Sequence, residues 1–98
     1  MSNEKLMYDF TKIKLQDIEG NELIDTAFHK SLANIIYLKT QNLDLVDKAM
    51  TINRGEVVEL TPNLLKEVKR VILDDANGVS AFARKAFKDY IDGKRISD

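Results

Sequence analysis

The strand-to-helix junction at residues 56–62 constrains the fold more than any other part of the sequence. It reads Glu-Val-Val-Glu-Leu-Thr-Pro and contains the only proline of the 98 residues. Val58 and Leu60 alternate with a glutamate, which predicts a half-buried strand. Thr61 then fits a helix N-cap, and Pro62 fits the first helical position, where its missing N–H costs no hydrogen bond. The chain therefore combines strands with helices.

An N-terminal hairpin is predicted to supply partners for that strand. Residues 8–15 contain apolar and lysine side chains in alternation, which predicts a half-buried strand with Phe10 exposed on the lysine face. Residues 17–21 have the composition of a turn, and a short return strand follows at 22–24. Because two strands alone are marginally stable, we expect residues 56–60 to join this hairpin in one small three-stranded sheet.

Four helices are predicted from apolar residues that recur every three or four positions. The second helix ends before Gly55, the third begins at Pro62, and the last ends at Gly93. The predicted inward faces include Met50 on the second helix and Phe82 on the last. The expected fold class is therefore α+β, with a small sheet packed against about four helices.

Length and composition predict a single domain that covers residues 1–98, with frayed ends at 1–6 and 94–98. The hydrophobic content of 44% and the charged content of 32% are typical of a folded globule. No apolar run approaches the roughly 20 residues that a bilayer span needs. Residues 1–6 lack the basic and apolar regions of a secretion signal, so we expect a cytoplasmic protein with no membrane partner.

The residue types argue against several kinds of site. The absence of cysteine removes disulfides, thiolate zinc sites and thiol nucleophiles. The single histidine, His29, has no catalytic partner in a motif and is interpreted as a surface or half-buried residue in the first turn of a helix. Residues 74–78 match part of a calcium loop, but Leu73 and Arg84 stand where its anchoring carboxylates are needed. We therefore expect no metal, no cofactor and no enzymatic activity, with a carboxylate-based enzyme left open.

The charge balance does not favour nucleic acid or membrane partners, because 15 basic and 16 acidic residues give a net charge of −1. The densest basic group is on the last helix, where Arg84, Lys85 and Lys88 can share a face. These three residues are the candidate contacts of an alternative function, a nucleic-acid-binding regulator. A solvated helix face is the simpler interpretation of the same residues.

The short sheet edges and the exposed Phe10 together predict self-association. An uncovered edge at residues 56–60 would offer backbone groups to a second copy, so the candidate interface comprises Phe10, Val57, Val58 and Glu59. The leading functional hypothesis is a non-enzymatic protein–protein interaction, assembly or accessory module. Its partner is expected to be a second copy, in a homodimer, or another protein.

Parts of the sequence also resemble a known group of proteins. The resemblance lies at residues 17–22, at residues 29–30 and 33–37, and at residues 55–61. Together they resemble small uncharacterised proteins encoded in phages, prophages and other mobile elements of bacteria. The resemblance spans about residues 8–92 and implies a small interaction or assembly protein in a phage-like context. Its motifs are turn, helix and strand signals, so it implies no functional residue.

Overall fold

A computed structural model of the chain describes residues 6–96, with side chains through residue 93. Within that range lie four α-helices: α1 (Phe28–Lys39), α2 (Leu43–Asn53), α3 (Pro62–Leu73) and α4 (Ala81–Ile96). Four short strands accompany them: β1 (Leu6–Tyr8), β2 (Leu15–Gln16), β3 (Glu22–Leu23) and β4 (Val58–Leu60). Single 3₁₀ turns cover Phe10–Lys12 and Asp75–Asn77. The predicted α+β class and the predicted number of helices are confirmed.

The four strands form two separate antiparallel pairs, β1 with β4 and β2 with β3. In the first pair, Tyr8 lies opposite Val58 and Leu6 lies opposite Leu60. The predicted three-stranded sheet is therefore wrong, because the strand before Pro62 pairs with residues 6–8 rather than with the hairpin. Leu6 belongs to β1, whereas the sequence placed it in a frayed end; residues 1–5 of that predicted end lie outside the described residues.

Asp9 ends the strand that the sequence predicted over residues 8–15. Its carboxylate accepts hydrogen bonds from the backbone N–H and the hydroxyl of Thr11, which begins the 3₁₀ turn. The turn stops the period-two alternation, so Phe10 points inward, is only 2% exposed and packs against Phe87 with ring centroids 6.0 Å apart. The prediction that Phe10 is exposed on the lysine face is therefore wrong.

The predicted hairpin is present as the β2–β3 pair, which matches Leu15 with Leu23. Asp17 organises its turn, because its carboxylate accepts hydrogen bonds from the backbone N–H groups of Glu19 and Asn21, each at 2.9 Å. These bonds favour the charged carboxylate, and those from Asn21 contribute most to lowering the pKa of Asp17. Gly20 supplies the positive φ of 88° that the turn requires.

The strand-to-helix junction forms as predicted. Thr61 caps α3, since its hydroxyl oxygen accepts a hydrogen bond from the N–H of Leu64 at 3.3 Å, and Pro62 occupies the first helical position. One face of α3 is buried, and it consists of the residues that the periodicity assigned to it: Leu64, Leu65, Val68, Val71 and Ile72.

Helix α4 departs from its predicted limits and from its predicted face. Ala83, Phe87 and Ile91 are buried, whereas Phe82 is 48% exposed. Gly93 lies inside the helix, which continues to Ile96, and it does not have the positive φ of a helix-ending glycine. The predicted stop at Gly93 is therefore wrong. Residues 94–96 of the predicted frayed tail belong to α4, and residues 97–98 lie outside the described residues.

The buried side chains of the described residues form one cluster to which all four helices and strands β1, β2 and β4 contribute. Helix α2 turns Ile52 into this core and leaves Met50, which was predicted to face inward, 49% exposed. Among residues 6–93, whose side chains are described, none with a formal charge is fully buried. Over residues 6–96, no helix has both the length and the apolar composition to cross a membrane.

Candidate interaction groove

A groove of about 940 Å³ has helix α4 on one side. Its other side is formed by the β2–β3 hairpin together with residues 12–14, which precede the hairpin. We call it the hairpin–α4 groove. The hairpin side is lined by residues that include Lys12, Lys14, Ile18 and Leu23, and the helix side by residues that include Phe82, Lys85, Ala86, Asp89 and Tyr90. A groove of this size accommodates several side chains of a bound molecule.

Buried contacts on both sides of the groove hold its walls in place. Leu15 on β2 is buried in the core, so the hairpin is anchored beside α4. Tyr90 is fixed at its hydroxyl, which accepts a hydrogen bond from the backbone N–H of Asp9 at 2.8 Å, and at its ring, which meets Tyr8 edge-on. Burial also raises the pKa of Tyr90, so its hydroxyl stays protonated near neutral pH. The groove is therefore preformed along the part of α4 that carries Tyr90.

Three apolar side chains that line the groove are open to solvent. Ile18 is fully exposed at the hairpin turn, while Leu23 is 42% and Phe82 48% exposed. Each contributes about 1.5–3 kcal/mol to an association that buries it fully, and proportionately less when it is already half-buried. Their convergence on one concave surface is typical of a protein-binding site rather than of scattered surface residues.

Some charged side chains of the groove have a partner within the described part of the chain, and others have none there. Lys85 pairs with Asp89 one helical turn away, with Nζ 2.8 Å from Oδ2, and the Asp17 carboxylate is engaged by its own turn. Lys12 and Lys14 are both exposed, and neither has a carboxylate within ion-pair distance among residues 6–93. Since Asp17 is the one carboxylate among the described residues that line the hairpin side with these two lysines, that side has a net positive charge.

The three candidate nucleic-acid contacts do not form a free basic face. Arg84 directs Nη1 to the backbone carbonyl of Leu73, 3.2 Å away, at the end of α3. Lys85 is paired within α4, and Lys88 pairs with Asp92 through an Nζ–Oδ2 distance of 2.7 Å. The hydrogen bond to Asp92 raises the pKa of Lys88, as expected for an ammonium held by a carboxylate. Two of the three positive charges that a phosphate backbone would need are thus paired with carboxylates, and the Arg84 guanidinium is engaged by the end of α3.

The four candidate interface residues are divided between the core and the surface. Phe10 and Val58 are buried within the chain, at 2% and 1% exposure, because both side chains join the core cluster. Val57 is exposed and Glu59 is half-buried on the opposite, outward face of the β1–β4 pair. Met7 lies opposite Glu59 on the same face and is also exposed. Of the four candidate interface residues, Val57 and Glu59 are therefore the two that a second copy could contact.

The segment that was tested against a calcium loop forms a turn between α3 and α4. The Asp74 carboxylate accepts a hydrogen bond from the N–H of Ala76 at 2.9 Å, and the Asn77 side-chain amide donates to the carbonyl of Val71. Gly78, with a φ of 84°, closes the turn. Within residues 6–93, no three histidine or acidic side chains lie together as a metal site requires. His29 is half-buried in the first turn of α1, as predicted.

Sequence reasoning missed the groove residues Ile18, Leu23 and Phe82. One signal was available, because Ile18 is an apolar residue inside an otherwise polar turn, where it has no core to join. Phe82 gave the opposite signal, since its spacing from Ala86 fits a buried stripe on α4. Its exposure depends on how α4 is rotated against the hairpin, which is a tertiary property.

Comparison with known proteins finds no matching family model, curated protein or solved structure. The resemblance to proteins of phages and other mobile elements therefore stays a prediction. The hairpin–α4 groove and the outward face of the β1–β4 pair are the two surfaces whose geometry and charge bear on function.

Proposed function

We propose that this chain is a non-enzymatic protein–protein interaction module and that the hairpin–α4 groove is its binding surface. The observation that supports the proposal is the convergence of Ile18, Leu23 and Phe82, all exposed, on one preformed groove. In an accessory or assembly role, such a module presents a shaped apolar surface to a second protein and transforms no substrate.

The carboxylates of the groove support a binding role over a catalytic one. A general acid or base needs a carboxyl group that is free to exchange a proton with a substrate. Asp17 accepts three hydrogen bonds within its own turn, and Asp89 is paired with Lys85. Both carboxylates are thus engaged in structural contacts.

Loss of binding on substitution of one groove residue tests the proposal. We expect immobilised wild-type protein to retain a small set of proteins from an extract of the cells that express it, and Phe82→Asp to lose them. Leu38→Asp is the matched control, because Leu38 is also an exposed apolar helix residue but lies on α1, outside the groove. Equal retention by all three proteins, with unchanged circular dichroism, would contradict the proposal.

Self-association is a second candidate function, supported by the exposed Met7 and Val57 on the outward face of the β1–β4 pair. Two copies that stack these faces would shield both side chains and form a homodimer with an isologous interface. Light scattering after size exclusion measures the mass directly. A monomeric mass at high micromolar concentration would exclude the dimer, and a dimeric mass that Val57→Lys reduces to that of one chain would support this face.

A further inference from the structure

We infer that the hairpin–α4 groove binds an acidic segment of a partner protein, one that carries apolar side chains among its carboxylates. The inference rests on the proposed function and adds the chemistry of the partner. Two features of the groove carry it: exposed apolar side chains on both of its walls, and two lysines on the hairpin side that have no carboxylate partner among the described residues.

The lysines set the charge of the partner. Lys12 closes the 3₁₀ turn after β1, and Lys14 precedes β2, so both extend from the same short segment of the groove wall. Of the other charged residues of the groove, Lys85 is paired with Asp89, and the Asp17 carboxylate keeps its charge but is held by the hydrogen bonds of its own turn. A bound segment therefore gains by placing carboxylates near Lys12 and Lys14 and gains nothing by placing lysines there.

The apolar residues set the second property of the partner. Leu23 lines the hairpin wall of the groove and Phe82 the helix wall, and the anchored Tyr90 also lines it. An apolar side chain inserted here is buried on several sides, as the central anchor of an interface usually is. A segment with carboxylates alone would leave Phe82 in contact with water.

Protein is favoured over nucleic acid as the occupant. A single strand of nucleic acid needs basic groups along its length and aromatic rings for its bases. The groove offers Phe82 and Tyr90, but Asp17 and Asp89 also line it. Those two carboxylates would repel phosphates spaced along a nucleic-acid strand, whereas a mixed acidic and apolar peptide can confine its carboxylates to the neighbourhood of Lys12 and Lys14.

Selection from a random peptide library tests the inference. The full chain is used to select from a phage-displayed library of 12-residue peptides, and the enriched peptides are synthesised with a fluorescent label. We expect enrichment of Asp and Glu together with large apolar residues. Binding to Lys12→Glu/Lys14→Glu should be at least about tenfold weaker and should become less sensitive to salt.

Charge-matched variants separate a local effect from a general one. Lys39→Glu/Lys66→Glu makes the same change of charge at exposed lysines outside the groove and should keep the wild-type affinity within about twofold. Lys12→Gln/Lys14→Gln should show an intermediate loss, and it serves as a second test if the charge reversal disturbs folding. Equal losses from the groove pair and from the distant pair would overturn the inference.

The outcomes also distinguish this inference from the proposed function. Peptides that lose binding with Phe82→Asp but show no acidic enrichment and no response at Lys12 and Lys14 would overturn the acidic partner and leave the interaction module standing. Failure to select any peptide that depends on Phe82 would overturn both. A 20-nucleotide oligo(dT) serves as the nucleic-acid probe. If it binds more tightly than the selected peptides and loses that binding on charge reversal at the two lysines, the partner is single-stranded nucleic acid and the inference is overturned.

Discussion

The hydroxyl oxygen of Tyr90 accepts a hydrogen bond from the backbone N–H of Asp9 at 2.8 Å, across 81 positions of the sequence. The same tyrosine packs edge-on against Tyr8 at a centroid distance of 6.2 Å. The last helix is thereby tied to the point where β1 ends and the 3₁₀ turn begins. Because Tyr90 also lines the hairpin–α4 groove, this contact serves both the stability of the fold and the shape of the groove.

Removal of the Tyr90 hydroxyl should destabilise the protein without breaking the packing of its ring. In Tyr90→Phe the N–H of Asp9 loses its acceptor in a partly buried position, so we expect a loss of about 1 kcal/mol in the free energy of unfolding. Urea denaturation monitored by circular dichroism measures it. Tyr37→Phe, at a half-exposed tyrosine of α1, should change stability by less than about 0.5 kcal/mol. Equal effects from the two substitutions would contradict the role of the bond.

Glu67 should make folding stability depend on acid pH. The hydrogen bond from Arg70, with further hydrogen bonds from Thr40 and Gln41, lowers the pKa of Glu67 from 4.5 to about 2. Since the pKa in the folded state lies below that in the unfolded state, the stabilisation is complete above about pH 4.5 and is lost as the pH falls toward 2.

The substitution Glu67→Gln tests this dependence. At pH 7 we expect it to cost about 1–3 kcal/mol in unfolding free energy, because it weakens a charge-assisted link between α3 and the turn before α2. The difference from wild type should shrink when urea titrations are repeated at successively lower pH down to about 2.5. Glu19→Gln, in the exposed hairpin turn, is the control. A difference that stays constant with pH would show that Glu67 does not titrate as stated.

Two glycines should respond to alanine in opposite directions. Gly78 has a φ of 84° between α3 and α4, so a Cβ there is strained and Gly78→Ala should cost about 1–2 kcal/mol. Gly93 lies within α4 and an added Cβ meets no atom within 4 Å, so Gly93→Ala should add about 0.5–1 kcal/mol. Thermal unfolding should show a lower Tm for the first variant and a higher Tm for the second. A lower Tm for Gly93→Ala would argue against a helix through that position.

Substitution of Phe10 should destabilise the protein more than substitution of Phe82, although the sequence periodicity predicted that Phe10 is exposed and Phe82 is buried. Phe10 is buried against Phe87, so Phe10→Ala should lose about 3–5 kcal/mol in unfolding free energy. Phe82→Ala, at a half-exposed position, should lose less than about 1 kcal/mol. If Phe10→Ala is too unstable to purify, Phe10→Leu measures the same burial with a smaller loss. A larger loss at Phe82 than at Phe10 would reverse the assignment of core and surface.

The elements with strong local signals were predictable from the sequence. The junction at Thr61 and Pro62 combines a strand alternation, a cap and a helix start within seven residues, and α3 follows with its buried face as predicted. Gly55 likewise has the positive φ, 78°, expected at the end of α2. In each case the local conformational preference and the demand of the core coincide.

The pairing of the strands and the groove were not predictable, because both depend on contacts between distant segments. The alternation of apolar and polar residues in β4 is compatible with any antiparallel partner strand. Its actual partner, β1, is only three residues long and has no distinct strand signal in the sequence. Asp9 then redirects the chain through a side-chain hydrogen bond that competes with strand geometry. The groove arises only once α4 packs beside the hairpin, about 60 residues earlier in the chain.

The pairing of β1 with β4 also bears on the order in which the protein is made. During synthesis, Leu6–Tyr8 leaves the ribosome long before Val58–Leu60, and Tyr8 and Phe10 wait longer still for Tyr90 and Phe87 on the final helix. The N-terminal third therefore has no complete core of its own to fold into as it emerges. The core is completed only after α4 has been translated, so a nascent chain paused before α4 exposes the apolar residues that this helix covers.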